Sequence, residues 1–211
     1  MVELAVFLGN PGREYAGNRH NVGRLLAFRL PFYGDLRWRG KFKGLYADMD
    51  SRVLVGGPFE GLPPRFHFLM PETYMNLSGD SVEAAASFFK IPPEHILVVH
   101  DELELPLGTL SLKFSGGLGG HNGLRSLKAR LGAADFWRLR IGIGRPDDRA
   151  PGEGGPPGSG RGIIDWVLSD FAAPEKPALE QTLEAAVPLF TGALASEPES
   201  LLPEWKKRVV V

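Results

Sequence analysis

The first strand-like run of the chain, residues 3–8, is apolar on both of its faces. Strands of this kind lie inside the sheets of α/β proteins, where helices cover both sides of the sheet. Glycines and a proline within residues 9–12 then force a tight turn, so a polar loop opens at the carboxyl end of the strand. Ligand sites of open α/β sheets collect at such ends. The start of the chain therefore predicts an α/β fold with a site beside its first strand.

Strand-like and helix-like runs alternate along the rest of the chain, which is typical of α/β proteins. Strand-like composition occurs at residues 3–8, 46–55, 66–70, 95–101, 108–114 and 139–142. Amphipathic patterns predict helices at residues 22–30, 81–89, 124–131 and 174–194. Pro188 lies inside the last of these runs, and we expect it to kink that helix or divide it in two.

The length of 211 residues fits one domain spanning 1–211. Residues 146–162 are rich in Gly and Pro and predict a mobile loop. We interpret this loop as internal to the domain, because an apolar pattern resumes at 163–168 and too few residues follow to build a second core. Residues 196–211 form a C-terminal tail.

The composition excludes several classes of function. With 24 basic and 25 acidic residues, the net charge is −1, so a nucleic-acid partner must be met by a local basic patch. The absence of cysteine excludes disulfides, thiolate nucleophiles and zinc–thiolate sites. No run is long enough for a membrane span and no secretory signal pattern is evident, so we expect a cytoplasmic protein with no membrane partner.

Two side chains form the candidate catalytic pair. His20 lies in the loop after the first strand, and Asp101 ends the apolar run at 95–101. A carboxylate at the end of a buried strand can orient a histidine and raise its basicity. Without a nucleophile or metal motif, the pair predicts that His20 activates water as a general base. Taken alone, His20 is equally well explained as a cap or a surface hydrogen-bonding group, and Asn76 as a helix cap.

Other polar residues support simpler interpretations. The glycine-rich run at 115–123 suits an anion, but no complete dinucleotide or P-loop pattern is present. Glu102 and Glu104 are expected to form a solvated edge, and His100 is expected to pack beside the sheet. We expect no cofactor and no metal ion.

Five ordered motifs together resemble those of bacterial peptidyl-tRNA hydrolases. They read Phe-Leu-Gly-Asn-Pro-Gly-x-x-Tyr-x-x-x-Arg-His-Asn-x-Gly, Pro-x-Thr-Tyr-Met-Asn-Leu-Ser-Gly, His-Asp-Glu-Leu-x-Leu-Pro-x-Gly, Gly-Gly-His-Asn-Gly-Leu and Arg-Leu-Arg-Ile-Gly-Ile-Gly-Arg-Pro. The resemblance covers nearly the whole chain. It implies a single α/β domain with a twisted, mostly parallel mixed β-sheet surrounded by helices. It also implies hydrolysis of the ester between a peptide and the 3′-terminal ribose of tRNA, which recycles the tRNA.

The resemblance also implies roles for individual residues. His20 matches the essential histidine, Asp101 its carboxylate partner, and Asn10 a residue that helps to hold the water and the peptide end. Residues matching substrate contacts near the scissile bond are Tyr15, Tyr74, Met75, Asn76, His121 and Asn122. Residues expected to hold tRNA phosphate are Lys113, Arg140 and Arg138. The substrate is thus bound by its acceptor stem and 3′ end, and we expect a monomer with no obligatory protein partner.

Some parts of the chain depart from the family pattern. Ser111 stands where relatives often carry a lysine, residues 146–162 form an unusually long run, and residues 199–211 lie beyond the part that can be matched. The basic run at 37–43 has no assigned role. Two other functions remain open: an RNA-binding protein that keeps the scaffold without hydrolysis, and an esterase or amidase acting on a substrate other than RNA.

Overall fold

The computed structural model describes residues 1–56, 61–146 and 160–211. Within these ranges, the strands are β1 (Leu4–Phe7), β2 (Arg39–Lys41), β3 (Gly44–Asp50), β4 (Arg65–Pro71), β5 (Ile96–Glu102), β6 (Thr109–Phe114), β7 (Trp137–Gly142) and β8 (Arg208–Val209). The α-helices are α1 (Val22–Ala27), α2 (Ser51–Val55), α3 (Ser78–Phe89), α4 (Asn122–Leu131), α5 (Gly160–Val167), α6 (Lys176–Ala195) and α7 (Leu202–Trp205).

The strands form one mixed sheet in the order β2-β3-β4-β1-β5-β7-β6-β8. The four central strands, β4, β1, β5 and β7, are parallel to their neighbours within that group, and the outer pairings are antiparallel. The predicted α/β fold with a mixed sheet is therefore confirmed. Because the central strands are parallel, the carboxyl ends of β1, β4, β5 and β7 meet at one edge of the sheet.

Two hydrophobic clusters cover the two faces of the sheet. Phe7 belongs to the cluster built with α1 and α6, and its ring centroid lies 5.3 Å from that of Phe190. Val6, which points to the other face, belongs to the cluster built with α3 and α4. Burying one such side chain stabilises the fold by about 1.5–3 kcal/mol. The apolar character of β1 on both faces thus follows from having helices on both sides.

One secondary-structure prediction was wrong, and one of the two alternatives of another is not found. The strand predicted at 46–55 ends at Asp50, whose side chain accepts the backbone N–H of Arg52 at 2.9 Å and caps α2. This cap outweighs the strand preference of the apolar residues that follow. Of the two outcomes expected at Pro188, a division of the helix is not found, because α6 continues through that residue. Proline removes one helical hydrogen bond, whereas the buried face of α6, which includes Leu183 and Phe190, is held by the core on both sides of that position.

The internal loop and the C-terminal tail predicted from the sequence have different outcomes. Most of the predicted loop at 146–162 lies outside the described residues, and α5 contains its last three residues. The tail is folded against the sheet: β8 pairs antiparallel with β6, and Ser111 Oγ donates to the carbonyl oxygen of Lys206 at 2.6 Å. The tail therefore covers the edge of β6, where unpaired backbone groups would otherwise be exposed.

None of the helices in the described ranges combines the length and apolarity that crossing a bilayer requires.

Gly23 allows α1 to lie close against the central strands. A Cβ at this position would sit 2.6 Å from the carbonyl oxygen of Val99 and 2.8 Å from that of Leu8. Both are backbone atoms, so the helix would have to move. We expect Gly23→Ala to lower the free energy of unfolding by about 1–3 kcal/mol in chemical denaturation. Gly34→Ala is the control, because a Cβ there meets nothing within 4 Å; equal stability of the two variants would contradict this packing.

Candidate active site

Several of the predicted site residues meet at the edge formed by the carboxyl ends of the parallel strands. The loop after β1 carries Asn10 and His20, β5 carries Asp101, and the loop after β4 carries Met75. His121 does not lie directly after one of these parallel strands. Because β6 runs antiparallel to β7, it ends at the opposite edge, and the glycine-rich segment 115–121 returns the chain to the site.

His20, Asp101 and His121 form a buried cluster. His20 Nδ1 donates to Asp101 Oδ1 at 2.8 Å, and His121 Nε2 donates to the same oxygen at 3.0 Å. Their side chains are 9%, 2% and 7% exposed, respectively. The two imidazole centroids lie 4.9 Å apart. One carboxylate oxygen therefore accepts a hydrogen bond from each of two histidines.

The hydrogen bonds determine which ring nitrogen of each histidine carries a proton. His121 is the N-cap of α4, and its Nδ1 accepts the backbone N–H groups of Gly123 and Leu124 at 3.1 and 3.3 Å. Nδ1 must therefore present a lone pair, and the ring proton lies on Nε2, where it is donated to Asp101. Neutral His20 has the opposite tautomer, with its proton on Nδ1. Its Nε2 consequently carries the lone pair that a general base uses.

Burial and charge shift the ionisation of this cluster. Burial alone would lower the pKa of His20, but the charge and hydrogen bond of Asp101 raise that pKa overall. Burial alone would raise the pKa of Asp101, but His20 and His121 hold it well below its usual range. Asp101 therefore stays ionised at neutral pH. His20 is a stronger base than a free histidine and loses its base function as the pH falls through its raised pKa.

The same three side chains are of types that bind metal ions, and their ligand atoms lie within 4.8 Å of one another. A metal at His121 Nε2 would move the ring proton to Nδ1 and break the cap of α4. A metal at His20 Nδ1 would move the proton to Nε2 and remove the base. The hydrogen bonding of the cluster thus fits proton transfer better than metal binding.

Asn10 connects the loops that follow β1 and β4. Its backbone N–H donates to Asn21 Oδ1 at 2.8 Å, and Asn21 Nδ2 donates back to the Asn10 carbonyl at 3.0 Å. Asn10 Oδ1 accepts the backbone N–H of Met75 at 2.8 Å. The side-chain oxygen of Asn10 is therefore used within the protein, and its Nδ2 group remains as a donor for a ligand. The sequence analysis did not assign the bracing role of Asn21.

The other predicted substrate contacts lie around this core. Met75 is buried beside α4, where a Cβ at Gly123 would come within 2.6 Å of its Sδ. Tyr74 and Asn76 flank Met75 and are exposed, and Tyr15 is half-buried in the turn after β1.

A cavity of about 330 Å³ opens beside His20. Its polar wall includes His20, Asp101, His121 and Asn122, and its apolar wall includes Ile163, Ile164 and Val167 from α5. Asn122 is exposed at its rim, and its Oδ1 accepts from Arg125 Nη2. Five of the predicted catalytic and substrate-contact residues in the described ranges do not line this cavity: Asn10, Tyr15, Tyr74, Met75 and Asn76. The apolar run at 163–168 was visible in the sequence, but its position opposite His20 depends on the fold.

Arg19 joins the turn that carries His20 to the segment after α5. Its side chain is fully buried, with Nη1 donating to Ser169 Oγ at 2.8 Å and Nη2 paired with Glu175 Oε2. Its guanidinium carbon lies 3.8 Å from the centroid of the Trp166 ring. These contacts hold the apolar wall of the cavity in place relative to His20. No sequence motif indicated this role.

The predicted phosphate-binding residues lie on neighbouring strands, where Lys113 pairs in register with Arg138 and Ser111 with Arg140. Arg138 is only 2% exposed and donates from Nη1 to the carbonyl of Gly117 at 2.8 Å. Lys113 is half-buried. Burial lowers the pKa of Lys113, and the charges of Arg138 and Arg140 add to this effect.

Glu102 does not belong to a solvated edge, so that prediction was wrong. Its side chain is 10% exposed and accepts from Arg140 Nε at 2.9 Å. Arg140 Nη1 also donates to Ser111 Oγ at 3.3 Å. Glu104, by contrast, is exposed and pairs with Arg145.

Comparison with known proteins gives consistent matches. Residues 4–209 match the family model described as peptidyl-tRNA hydrolase, so the match includes most of the tail that the motifs left out. The chain is 44% identical over 210 residues to the peptidyl-tRNA hydrolase of Treponema pallidum (strain Nichols), covering 98% of this chain and 96% of the relative. It is 41% identical over 190 residues to that of Desulfitobacterium hafniense (strain Y51), covering 90% and 91%.

Solved structures agree with these matches. A crystal structure of peptidyl-tRNA hydrolase in complex with N-propanol superposes with a TM-score of 0.78 at 32% identity, covering 97% of this chain and 96% of the other. The peptidyl-tRNA hydrolase of Acinetobacter baumannii gives a TM-score of 0.73 at 33% identity, with coverages of 96% and 91%.

Proposed function

Since the chain belongs to the peptidyl-tRNA hydrolase family, we propose that it cleaves the ester between a peptide and the 3′-terminal ribose of tRNA with water activated by His20. The observation that carries this mechanism is the 2.8 Å hydrogen bond between His20 Nδ1 and Asp101 Oδ1. It leaves the lone pair of His20 Nε2 available at the cavity wall. A positioned base of this kind contributes roughly 100- to 10,000-fold to the rate.

The proposed reaction passes one proton through His20. Nε2 takes a proton from water as the water oxygen bonds to the ester carbonyl carbon, which gives a tetrahedral intermediate. The imidazolium formed on His20 is stabilised by Asp101. When the bond to the ribose oxygen breaks, Nε2 returns the proton to that oxygen. The products are tRNA with a free hydroxyl and a peptide with a free carboxyl group.

Amide side chains provide the proposed substrate contacts. We assign Asn10 Nδ2 to the water and the peptide end, and Asn76 and Asn122 to the polar groups near the ester. An asparagine can both donate to a peptide carbonyl and accept from a peptide N–H. An aminoacyl-tRNA would present an ammonium group there instead, which these neutral amides solvate poorly. Tyr15, Tyr74 and Met75 complete the proposed peptide groove.

We propose that Lys113 and Arg140 contact tRNA phosphates, with buried Arg138 supporting them from the sheet. The support is their clustering on β6 and β7, beside the strand that carries Asp101. Recognition of this kind uses phosphate charge and the shape of the acceptor stem, with little reading of bases. One chain is sufficient for the proposed chemistry, since all of these residues and the cavity walls belong to it.

Removing the Lys113 charge should weaken tRNA binding without changing the chemical step. We expect Lys113→Ala to raise KM and to reduce the salt dependence of KM by roughly one phosphate contact, a slope change of about 0.7–0.9. Arg140→Ala should also raise KM, with a loss of stability because Glu102 keeps a buried charge without its partner. The control is Arg52→Ala, since Arg52 is exposed at the opposite edge of the sheet. If KM stays unchanged in both test variants, the tRNA surface lies elsewhere.

The decisive experiment for the proposed function compares two substrates. Purified protein is incubated with N-acetyl-aminoacyl-tRNA and, separately, with the unblocked aminoacyl-tRNA, and release of the acyl group is measured. Cleavage of the blocked substrate alone, with inhibition by deacylated tRNA, is the expected result. Binding of tRNA without cleavage would support the RNA-binding alternative. Cleavage that ignores deacylated tRNA would support an esterase with another substrate.

A further inference from the structure

Both ring nitrogens of His121 are engaged within the protein. Nδ1 accepts two backbone N–H groups at the start of α4, and Nε2 donates to Asp101 Oδ1 at 3.0 Å. The side chain is also largely buried. A substrate could touch the edge or face of this ring, but the ring has no free nitrogen with which to form a hydrogen bond. His121 is thus poorly suited to be the polar substrate contact that its motif suggests.

The position of His121 suits a different role, and this inference rests on the proposed function of His20. We propose that His121 is a positioning residue that limits the basicity of His20 by drawing on the same oxygen of Asp101. A carboxylate strengthens a neighbouring base by stabilising its protonated form. A second N–H donor on that oxygen withdraws part of this stabilisation. The cap of α4 keeps the donor in place, because it prevents His121 from adopting the other neutral tautomer.

Such a limit matters because His20 has to release its proton as well as take it. A base works best when its pKa lies near the working pH. A buried carboxylate acting on His20 alone would raise the pKa of His20 further and leave more of the enzyme protonated at neutral pH. The imidazolium would also return its proton to the ribose oxygen less readily. Because Asp101 is shared between two histidines, His20 stays basic enough to take a proton from water and acidic enough, once protonated, to release it.

The other charged groups around His20 are already engaged with partners of their own. Arg19 precedes His20 in the chain and is paired with Glu175. At the cavity, Glu102 is paired with Arg140, and Arg125 is exposed and bonded to Asn122.

Neither His100 nor the α5 residues that line the cavity in the described part of the chain add a competing charge. His100 packs edge-on against His121, with centroids 5.0 Å apart, and burial holds the pKa of His100 well below its usual value. His100 is therefore neutral, and its Nδ1 donates to the Asp101 carbonyl at 2.7 Å. The α5 residues at the cavity are Ile163, Ile164 and Val167, which are apolar. Among the residues that the structure describes, Asp101 and His121 are thus the groups that bear directly on the basicity of His20.

Two substitutions separate the functions of the two ring nitrogens. In His121→Asn, the side-chain oxygen can take the place of Nδ1 and cap α4, but the side chain is too short to reach Asp101. In His121→Gln, the side-chain NH2 group can take the place of Nε2 and donate to Asp101, while the cap is lost. The first variant keeps the helix cap without the shared hydrogen bond, and the second keeps the shared hydrogen bond without the cap.

The test measures the titration of His20 by NMR in the free protein and the pH dependence of kcat/KM. We expect His121→Asn to shift the His20 titration and the acid limb of kcat/KM upward by about one unit. His121→Gln should keep both near their wild-type positions and unfold at a lower denaturant concentration. The NMR titration does not depend on turnover, so it tests the shared carboxylate even if the proposed hydrolysis fails.

Two outcomes would overturn the proposal. An unshifted His20 titration in His121→Asn would show that His121 does not limit the basicity of His20, and a raised KM in the same variant would identify His121 as a substrate contact. Equal shifts in both variants would attribute the effect to loosening of α4 rather than to the hydrogen bond with Asp101.

Discussion

Replacing His20 with alanine should slow peptidyl-tRNA hydrolysis by roughly 100- to 10,000-fold while leaving tRNA affinity nearly unchanged. The loss follows from removing Nε2, which is the proposed acceptor of the water proton. Affinity should persist because the proposed phosphate contacts, Lys113 and Arg140, lie on other strands. The fold should also persist, since Asp101 keeps its hydrogen bond from His121 and is not left as an unpaired buried charge.

The measurement is single-turnover cleavage of N-acetyl-aminoacyl-tRNA, together with direct binding of deacylated tRNA. His95→Ala is a matched histidine control, because His95 precedes β5 at the opposite edge and pairs with Glu3. The control should cleave at the wild-type rate. Cleavage by His20→Ala at the wild-type rate would rule out His20 as the base.

Replacing Asp101 with asparagine should be nearly as damaging, with a loss that can reach about 10⁴-fold, as when the orienting aspartate of a serine protease triad is changed in this way. If the new NH2 group faces His20 Nδ1, His20 must present a lone pair there and carry its proton on Nε2. That tautomer cannot accept a proton from water. The rate should therefore remain low even at high pH, where His20 is fully neutral.

The pH dependence of this variant supplies an independent check. Without the carboxylate charge, the pKa of His20 should fall, because burial lowers it and Asp101 is what raises it. The acid limb of the residual activity should move to lower pH, opposite to the shift expected for His121→Asn. A far-UV spectrum and unfolding curve would show whether the variant is folded. An unchanged rate in folded Asp101→Asn would mean that Asp101 has only a structural role.

The part of the fold that the sequence predicts is the part governed by local patterns. The apolar residues of β1 and β5 suit strands buried on both faces, and the polar residues that follow them belong at carboxyl ends. This logic also brings His20 and Asp101 together, because His20 lies in the loop after β1 and Asp101 lies near the carboxyl end of the adjacent β5. The strand prediction failed at 51–55, where the side chain of Asp50 starts a helix in residues that otherwise suit a strand.

The features that the sequence did not predict depend on which segments become neighbours. Glu102 and Arg140 are 38 residues apart, and their ion pair exists because β5 and β7 are adjacent. Arg19 reaches its partners across about 150 residues of chain. His121 follows β6, which ends at the opposite edge of the sheet, so its contact with Asp101 requires the glycine-rich segment to cross back along the sheet. Contacts between residues this far apart in the chain depend on the order of the strands in the sheet, which local sequence patterns do not predict.

The cap that His121 forms at the start of α4 links the stability of this helix to the proton affinity of His20. Fraying of the first turn would release His121 Nδ1, let the ring choose its other tautomer and free Asp101 Oδ1 from its second donor. Local opening and the protonation of His20 are then thermodynamically coupled, so conditions that protonate His20 should also change how often this turn opens. Amide hydrogen exchange at Gly123 and Leu124 would therefore follow the ionisation of a side chain that belongs to a different part of the chain.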